Sequence, residues 1–146
     1  MLIGRKARVI SFANNLLKWY DQMALDLPWR LTKDPYKIYL SEVMLQQTQV
    51  QTVIPYYKGW ISTYPDCDSV AGDDLESILK QWEGLGYYKR ARNFHKACKI
   101  ICQQYNGKTP TNIQDFADLP GVGSYTAAAV MSIAFQLPVP AVDANV

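Results

Sequence analysis

Apolar residues recur at intervals of three and four along most of the chain, and no segment alternates strictly between apolar and polar positions. This spacing is typical of amphipathic helices and predicts helices throughout. We expect a first helix from about Arg5 to Met23, a second from Tyr36 to about Gln47 and a third from Val50 to Tyr64. Asp34-Pro35 supplies an N-cap and a proline for the start of the second helix, and Pro55 lies near the start of the third or kinks it.

The C-terminal half contains four further predicted helices, each bounded by acidic, glycine or proline residues. They run from Asp73-Asp74 to Gly84-Leu85-Gly86, from Tyr88 to about Tyr105, from Ile113 to Ala117, and from Ser124 to about Phe135. Pro138 and Pro140 prevent the last helix from continuing. No internal repeat, linker or low-complexity segment interrupts the pattern. The sequence therefore predicts one all-α domain rather than a bundle with a simple heptad seam.

The composition agrees with a folded domain. The chain has 146 residues, enough for one core, and its 49% hydrophobic content argues against disorder. No apolar run is long enough to cross a bilayer, and the segment from Met1 to Arg8 lacks the apolar core of a secretory signal, so we expect a soluble intracellular protein. Cys67, Cys98 and Cys102 form no CxxC pair and are expected to be free, partly buried thiols.

Charge is distributed unevenly along the chain. The segment from Asp66 to Glu83 holds six acids and one base, whereas the segment from Tyr87 to Gln114 holds six bases and no acid. The bases are Lys89, Arg90, Arg92, Lys96, Lys99 and Lys108. Such a change of sign fits either a footprint for a polyanion or a solvated helix face, and charge alone does not separate the two.

Two glycines separate the last two predicted helices, in Leu119-Pro120-Gly121-Val122-Gly123. Glycine permits positive φ and leaves no Cβ in the way of a phosphate, while Val122 can pack back into the core. The first amides of the following helix, near Gly123 to Tyr125, then point outward at the positive end of the helix dipole. A plain helix–helix turn is the alternative, but the flanking helices favour a helix–hairpin–helix that binds a nucleic-acid backbone.

Two carboxylates stand out. Glu42 lies in the middle of a predicted helix among the apolar neighbours Tyr39, Val43, Met44 and Leu45, so burial would raise its pKa and keep a proton available near neutrality. Asp143 lies where a further helix would begin. The alternatives are an exposed helix glutamate and an N-cap aspartate. Together the two indicate cleavage of a glycosidic bond, which needs one acid to protonate the leaving group and one anion beside the sugar cation.

At these residues the chain resembles the adenine DNA glycosylase (MutY) family of the helix–hairpin–helix DNA glycosylase superfamily. The resemblance covers almost the whole chain and implies an all-α glycosylase fold with a six-helix barrel-type domain. The matching segments are Pro28-Trp29-Arg30, Asp34-Pro35-Tyr36, Leu40 to Val50, Thr52 to Tyr56, Gly84 to Tyr88, Arg90 to Asn93, Leu119 to Ala127 and Asp143 to Val146.

The resemblance implies a role for each candidate residue in removing adenine mispaired with 8-oxoguanine or guanine. Glu42 matches the acid that protonates adenine, and Asp143 matches the aspartate that stabilises the sugar cation. Trp29, Arg30 and Tyr125 match the adenine pocket. Residues matching DNA-contacting or intercalating positions are Gln47, Thr48, Leu85, Tyr87, Gly121, Val122, Gly123, Ser124 and Asn145. Such an enzyme extrudes its target base from the duplex and fills the gap that is left. Core packing remains the expectation for Trp19, Trp60, Trp82, Tyr56 and Tyr57.

Tyr125 separates this family from its relatives. The endonuclease III family carries a lysine at this position, whose amine attacks the sugar to form a Schiff base. Tyrosine cannot do so. The resemblance therefore implies a monofunctional glycosylase that leaves an abasic site without efficient strand cleavage.

The family continues beyond residue 146 into a 4Fe–4S cluster loop and a C-terminal domain, so the chain resembles a truncated product. Residues 1–27 are expected to form a helix that normally packs on this further part, 28–136 the glycosylase core with the hairpin at 112–136, and 137–146 the loop of Asp143. The chain's cysteines do not match the cluster ligands, so we expect it to bind no cofactor.

The expected partner is double-stranded DNA with a mispaired adenine, bound by a bacterial, cytoplasmic, nucleoid-associated monomer that has no membrane contact. Two other hypotheses remain open. One is a catalytically inactive DNA-binding fragment in which Asp143 is not held in place. The other is an endonuclease III-like glycosylase/lyase acting on oxidised pyrimidines.

Overall fold

A computed structural model of the chain describes residues 2–146, with side chains from residue 4 onward. Met1, where the predicted N-terminal segment begins, lies outside the described residues. Eight α-helices and one 3-10 helix, Pro28–Arg30, occupy the described part, which contains no strand, and the predicted all-α class is confirmed. The α-helices are α1 (Leu2–Met23), α2 (Pro35–Leu45), α3 (Val50–Thr63), α4 (Cys67–Gly72), α5 (Leu75–Gln81), α6 (Lys89–Tyr105), α7 (Ile113–Ala117) and α8 (Ser124–Phe135).

Side-chain caps set the starts of several helices. The Asp34 carboxylate accepts a hydrogen bond from the Tyr36 amide at 3.0 Å, with Pro35 in the first turn of α2. Asp74 caps α5 in the same way, accepting from the Ser77 amide at 2.8 Å. Both starts follow from the acidic residues that predicted them.

Helix α4 is absent from the sequence-based prediction, which left residues 65–72 without an element. A capping box starts it: the Asp66 side chain accepts from the Ser69 amide, and the Ser69 hydroxyl accepts from the Asp66 amide. Its six residues are too few for apolar periodicity to reveal, although the Asp-x-x-Ser spacing was available in the sequence.

Aromatic side chains from α2, α3 and α6 form the centre of the core. Phe94 lies within 6 Å of Tyr39, Tyr36 and Trp60, measured between ring centroids. Trp60 also meets Trp82 edge to face at 5.5 Å. The Tyr36 hydroxyl donates to the Tyr64 carbonyl and accepts from the Trp60 indole, so the buried polar atoms here are paired. These contacts fix α2, which carries Glu42, against α3 and α6.

The predicted core residues divide into those that are buried and those that are not. Trp60, Trp82 and Tyr57 are buried as expected, and Tyr56 is half-buried. The prediction for Trp19 is wrong, because its side chain is 57% exposed on α1. Its packing was inferred from residue type, and α1 has no close neighbour that covers this side chain.

Helix α1 presents its apolar side chains outward. Ile10, Leu16 and Leu17, which predicted the helix, are each at least half exposed, and Tyr20 is 43% exposed. The helix itself is confirmed. No helix in the part of the chain described combines the length and hydropathy needed to span a membrane.

The helix–hairpin–helix consists of α7, residues 118–123 and α8. Residues 126–131 of α8 are buried, and the small residues at 126–129 let this helix pack closely on α2 and α7. This packing brings the start of α8 beside the middle of α2, where the candidate site lies.

Candidate active site

A cleft of about 1290 Å³ lies between α2, the 3-10 helix, the start of α8 and the C-terminal segment. It is lined by both predicted catalytic carboxylates and by the predicted adenine-pocket residues, namely Glu42, Asp143, Trp29, Arg30 and Tyr125. These residues come from four separate parts of the sequence. The fold thus brings residues that are far apart in the sequence together in one cleft.

Glu42 projects from the middle of α2 into this cleft and is half-buried. Burial raises the pKa of its carboxyl above the ordinary glutamate value, because the ionised form loses hydration that no hydrogen-bonding partner replaces. The side chain therefore retains a proton to higher pH than an exposed glutamate would. This is the property that a general acid requires.

Asp143 has different surroundings in the extended segment after α8. One carboxylate oxygen accepts from the Asn145 backbone amide at 2.7 Å and from the Asn145 side-chain amide at 2.8 Å. Both bonds hold the carboxylate in one orientation. Asn145, which the sequence placed among DNA contacts, therefore holds the aspartate in this structure.

Tyr125 lies in the first turn of α8, and its side chain is 37% exposed. Burial raises its pKa, and the charges of Glu42 and Asp143 raise it further. The phenol is therefore within electrostatic reach of both carboxylates and stays neutral. Its side chain lines the same cleft as both carboxylates.

The 3-10 helix forms another wall. Trp29 is buried, with its ring edge to face on Tyr57 at 5.3 Å, so it is a fixed apolar surface. The Arg30 guanidinium lies over the Tyr20 ring at 5.4 Å and donates to the Leu25 carbonyl. Arg30 therefore joins the cleft to the end of α1.

Gln47 and Tyr87 lie on the adjoining surface, and both are exposed. They line a second cavity of about 390 Å³, and Gln47 also reaches the first cleft. Thr48 is half-buried beside them and donates to the Gln46 carbonyl. Leu85 differs from its predicted position: it is only 6% exposed and packs in the core. Intercalation by Leu85 would require the turn at 84–88 to open.

The glycine turn uses its two glycines differently. Gly121 has φ of 75°, and a Cβ there would lie 2.8 Å from Asn93 Cβ, so glycine is required at this position. Gly123 has φ of −93° and forms the N-cap of α8 without a side-chain cap, and a Cβ there would meet no atom within 4 Å. Val122 packs partly against the core as predicted, and Ser124 is exposed. The open space at Gly123 leaves the first amides of α8 accessible to an anion.

The basic segment is only partly a solvated face. Lys89, Arg92, Lys96 and Lys99 are exposed on α6, whereas Arg90 is buried. Its guanidinium donates to backbone carbonyls of the α2 terminus and of the turn at 84–88. The charge pattern of the sequence could not distinguish the buried Arg90 from its exposed basic neighbours. Arg90 lies four residues before the core residue Phe94 on the same helix, and this spacing was a signal that it faces inward.

The three cysteines lie where α4 and α6 pack. They are free thiols, as predicted; Cys67 and Cys98 are buried and Cys102 is half-buried. Across residues 2–146, no three His, Cys, Asp or Glu side chains are placed to share a metal ion.

Comparison with known proteins identifies the class. A sequence model of the HhH-GPD superfamily of base excision DNA repair proteins matches residues 40–146, and the chain belongs to this superfamily. Proteins called adenine DNA glycosylase match over nearly the whole chain. The one from Buchnera aphidicola subsp. Baizongia pistaciae is 46% identical over 94% of the chain and 39% of its own length. The human one is 43% identical over 96% of the chain and 27% of its own length. The predicted resemblance is confirmed, and the chain spans about two fifths or less of these relatives.

Solved structures confirm the predicted fold. A thermostable thymine-DNA glycosylase superposes with a TM-score of 0.89 at 32% identity, covering 97% of this chain and 65% of that one. A trapped endonuclease III–DNA covalent intermediate superposes with a TM-score of 0.80 at 26% identity, covering 95% and 64%.

Proposed function

We propose that this chain carries the catalytic site of an adenine DNA glycosylase, which hydrolyses the N-glycosidic bond of adenine mispaired with 8-oxoguanine or guanine. The observation that carries the proposal is the meeting of Glu42 and Asp143 in one cleft, the first with a raised pKa and the second among hydrogen-bond donors. The choice of adenine as the excised base rests on the relatives, which are called adenine DNA glycosylases.

In the proposed mechanism the protonated Glu42 donates its proton to N7 of the adenine. The bond between the sugar C1′ and N9 then breaks, and its electron pair leaves with the base. The ionised Asp143 stabilises the positive charge that develops on the sugar. Water adds to C1′ and loses a proton, so the products are free adenine and an abasic site.

The duplex is held beside the cleft in this proposal. A backbone phosphate lies on the amides at the start of α8, next to Gly123, and the exposed lysines of α6 add positive charge. Gln47 and Tyr87 enter the duplex from the adjoining surface and fill the space that the extruded base leaves. Thr48 and Ser124 border these contacts.

Tyr125 supports hydrolysis by water rather than by an enzyme amine. One lysine, Lys33, is among the described residues that line the cleft. Its ammonium donates a hydrogen bond to the Ile133 carbonyl at 3.4 Å. The chain therefore acts as a monofunctional glycosylase, without efficient strand cleavage. We also propose that it works as a bacterial cytoplasmic monomer.

A panel of duplexes tests the substrate. Each duplex carries adenine opposite 8-oxoguanine, thymine opposite guanine, or an oxidised pyrimidine, and released bases are measured by chromatography before and after alkali. We expect adenine release that needs alkali for strand cleavage and is lost in Glu42→Gln. The control Glu76→Gln changes an exposed glutamate on α5 and is expected to match the unchanged protein.

A second candidate is thymine excision, favoured by the TM-score of 0.89 to the thymine-DNA glycosylase. Release of thymine without adenine would replace the first proposal with this one. Strand cleavage without alkali, with borohydride trapping of a protein–DNA adduct, would instead indicate a lyase. Duplex binding without release of any base would leave the DNA-binding fragment.

A further inference from the structure

Arg90 is a buried arginine whose partners are backbone carbonyls. It lies in the first turn of α6 and is 8% exposed. Among residues 2–146, no carboxylate lies within ion-pair distance of its guanidinium. Burying a cation without a counter-ion costs folding free energy unless its N–H groups are hydrogen-bonded. The carbonyls that accept from Arg90 therefore indicate what the side chain does.

These carbonyls belong to two separate segments. Nη1 donates to the carbonyls of Val43, Met44 and Gln46, at the C-terminal end of α2, where the helix dipole is negative. Nη2 donates to the carbonyls of Leu85 and Gly86, at 3.5 and 3.1 Å. One planar fork therefore bridges the end of α2 and the turn at 84–88.

The bridged peptides precede two unusual residues. Gln47 and Tyr87 have φ of 54° and 47°, a left-handed conformation that residues with side chains rarely adopt. The carbonyls just before them, on Gln46 and Gly86, are both acceptors of the Arg90 fork. Arg90 therefore fixes the peptide that sets the direction of each of these exposed side chains.

Aromatic contacts hold the fork itself in place. The Arg90 guanidinium lies 5.3 Å from the centre of the Trp82 ring and 5.4 Å from that of Tyr87. The Trp82 indole donates to the Gly86 carbonyl at 3.0 Å, so this acceptor is held from two sides. The cluster is continuous with the core through the fully buried Trp82.

We propose that Arg90 is a positioning residue that holds Gln47 and Tyr87 at a fixed separation, so that both side chains enter the duplex at one base step. The proposal rests on the proposed function, because it assigns a task to two residues of that surface. A lysine keeps the charge, but its single ammonium cannot span the two segments as the fork does. The variant Arg90→Lys therefore separates bridging from charge.

The first test measures base extrusion by Arg90→Lys. A duplex carrying 2-aminopurine, whose fluorescence rises on leaving the stack, is titrated with the unchanged protein, with Arg90→Lys and with the matched control Arg8→Lys on the exposed face of α1. In Arg90→Lys we expect the fluorescence rise of 2-aminopurine, and the single-turnover rate of adenine release opposite 8-oxoguanine, to fall by about 10- to 100-fold. Duplex affinity is expected to stay within about threefold of that of the unchanged protein. The control is expected to match the unchanged protein.

The second test needs no DNA. Amide hydrogen exchange of the free protein is compared for the same variants, below the unfolding temperature of each. We expect faster exchange in Arg90→Lys at residues 46–49 and 84–88 together, with α4 and α7 unchanged. A merely structural role would accelerate exchange throughout the protein instead.

The outcomes are separable. If the unchanged protein binds duplex but neither extrudes nor releases a base, the proposed function fails, and exchange alone decides whether Arg90 bridges the two segments. If Arg90→Lys extrudes and excises within threefold of the unchanged protein, or if exchange changes at one segment only, the positioning role is wrong.

Discussion

At the scale of single residues, Glu42 and Asp143 have different surroundings, and the proposed mechanism assigns them different tasks. The apolar neighbours that predicted a raised pKa for Glu42 are adjacent in sequence, so this property could be inferred before the structure was known. The donors to Asp143 come from Asn145, two residues later, and no feature of the sequence favoured this role of Asn145 over a DNA contact. Local burial was predictable here, and side-chain pairing was not.

The raised pKa of Glu42 has a consequence for stability. The folded protein binds this proton more tightly than the unfolded chain does, so the free energy of unfolding decreases as pH rises from the ordinary glutamate pKa through the raised one. Glu42→Gln removes the ionisation, and we expect it to raise the melting temperature at neutral pH. The difference should vanish at about pH 4, where both states of the unchanged protein are largely protonated.

Thermal unfolding of both proteins across this pH range checks the expectation. Glu76→Gln, an exposed change of the same type, controls for altered net charge. A Glu42→Gln protein that is less stable than the unchanged one at neutral pH would mean that the carboxylate makes a favourable interaction, and the desolvation argument would fail.

At the scale of elements, the sequence predicted the start and end of most helices because caps, glycines and prolines are local signals. Helix α7 has only five residues but matches its predicted bounds, because the glycine turn after it indicated a helix there. Helix α4 has six residues and no motif of this kind beside it, and it was missed. The bridge made by Arg90 could not be predicted, because Gln46 is 44 residues away in sequence. Contacts of this kind depend on how the helices pack.

The N-cap of α8 offers a test in which stability and binding change in opposite directions. Gly123→Ser adds a hydroxyl that can accept from the first amides of α8, and the position is sterically open. We expect stability to rise by a few tenths of a kcal/mol, because serine caps helices better than glycine. Duplex affinity should fall about tenfold, since the hydroxyl occupies the amides proposed to hold a phosphate.

Urea unfolding and fluorescence anisotropy with a labelled duplex measure the two effects. The control change Ser69→Thr, in the first turn of α4 and outside the residues proposed to contact the duplex, is expected to leave affinity unchanged. Equal duplex affinity for Gly123→Ser and the unchanged protein would remove the start of α8 from the proposed interface.

At the scale of the whole molecule, the outward apolar face of α1 shows why a helix can be predicted while its packing cannot. Periodic apolar residues indicated an amphipathic helix, and the helix is present. Yet Phe12 is 69% and Leu16 is 50% exposed. Periodicity identifies the face that is apolar but not which element, if any, covers it.

This exposure predicts that α1 contributes little packing energy. The double change Phe12→Gln and Leu16→Gln should alter the free energy of unfolding by no more than about 0.5 kcal/mol, as for other exposed positions. Ile101→Val, one methylene in the fully buried core, should cost about 0.5–1.5 kcal/mol. Urea unfolding of the two variants makes the comparison. A larger loss from the α1 changes would show that this face packs against the core in solution.

The central claim is that Glu42 and Asp143 act on one bond in one cleft. Its most direct test is the single-turnover rate of adenine release from a duplex with 8-oxoguanine opposite, for the unchanged protein, Glu42→Gln, Asp143→Asn and the double variant. Each single change should slow release by about 10²–10⁴-fold. The double variant should be little slower than the worse single one, because groups serving one transition state are not additive. Release by Glu42→Gln as fast as by the unchanged protein would contradict the account.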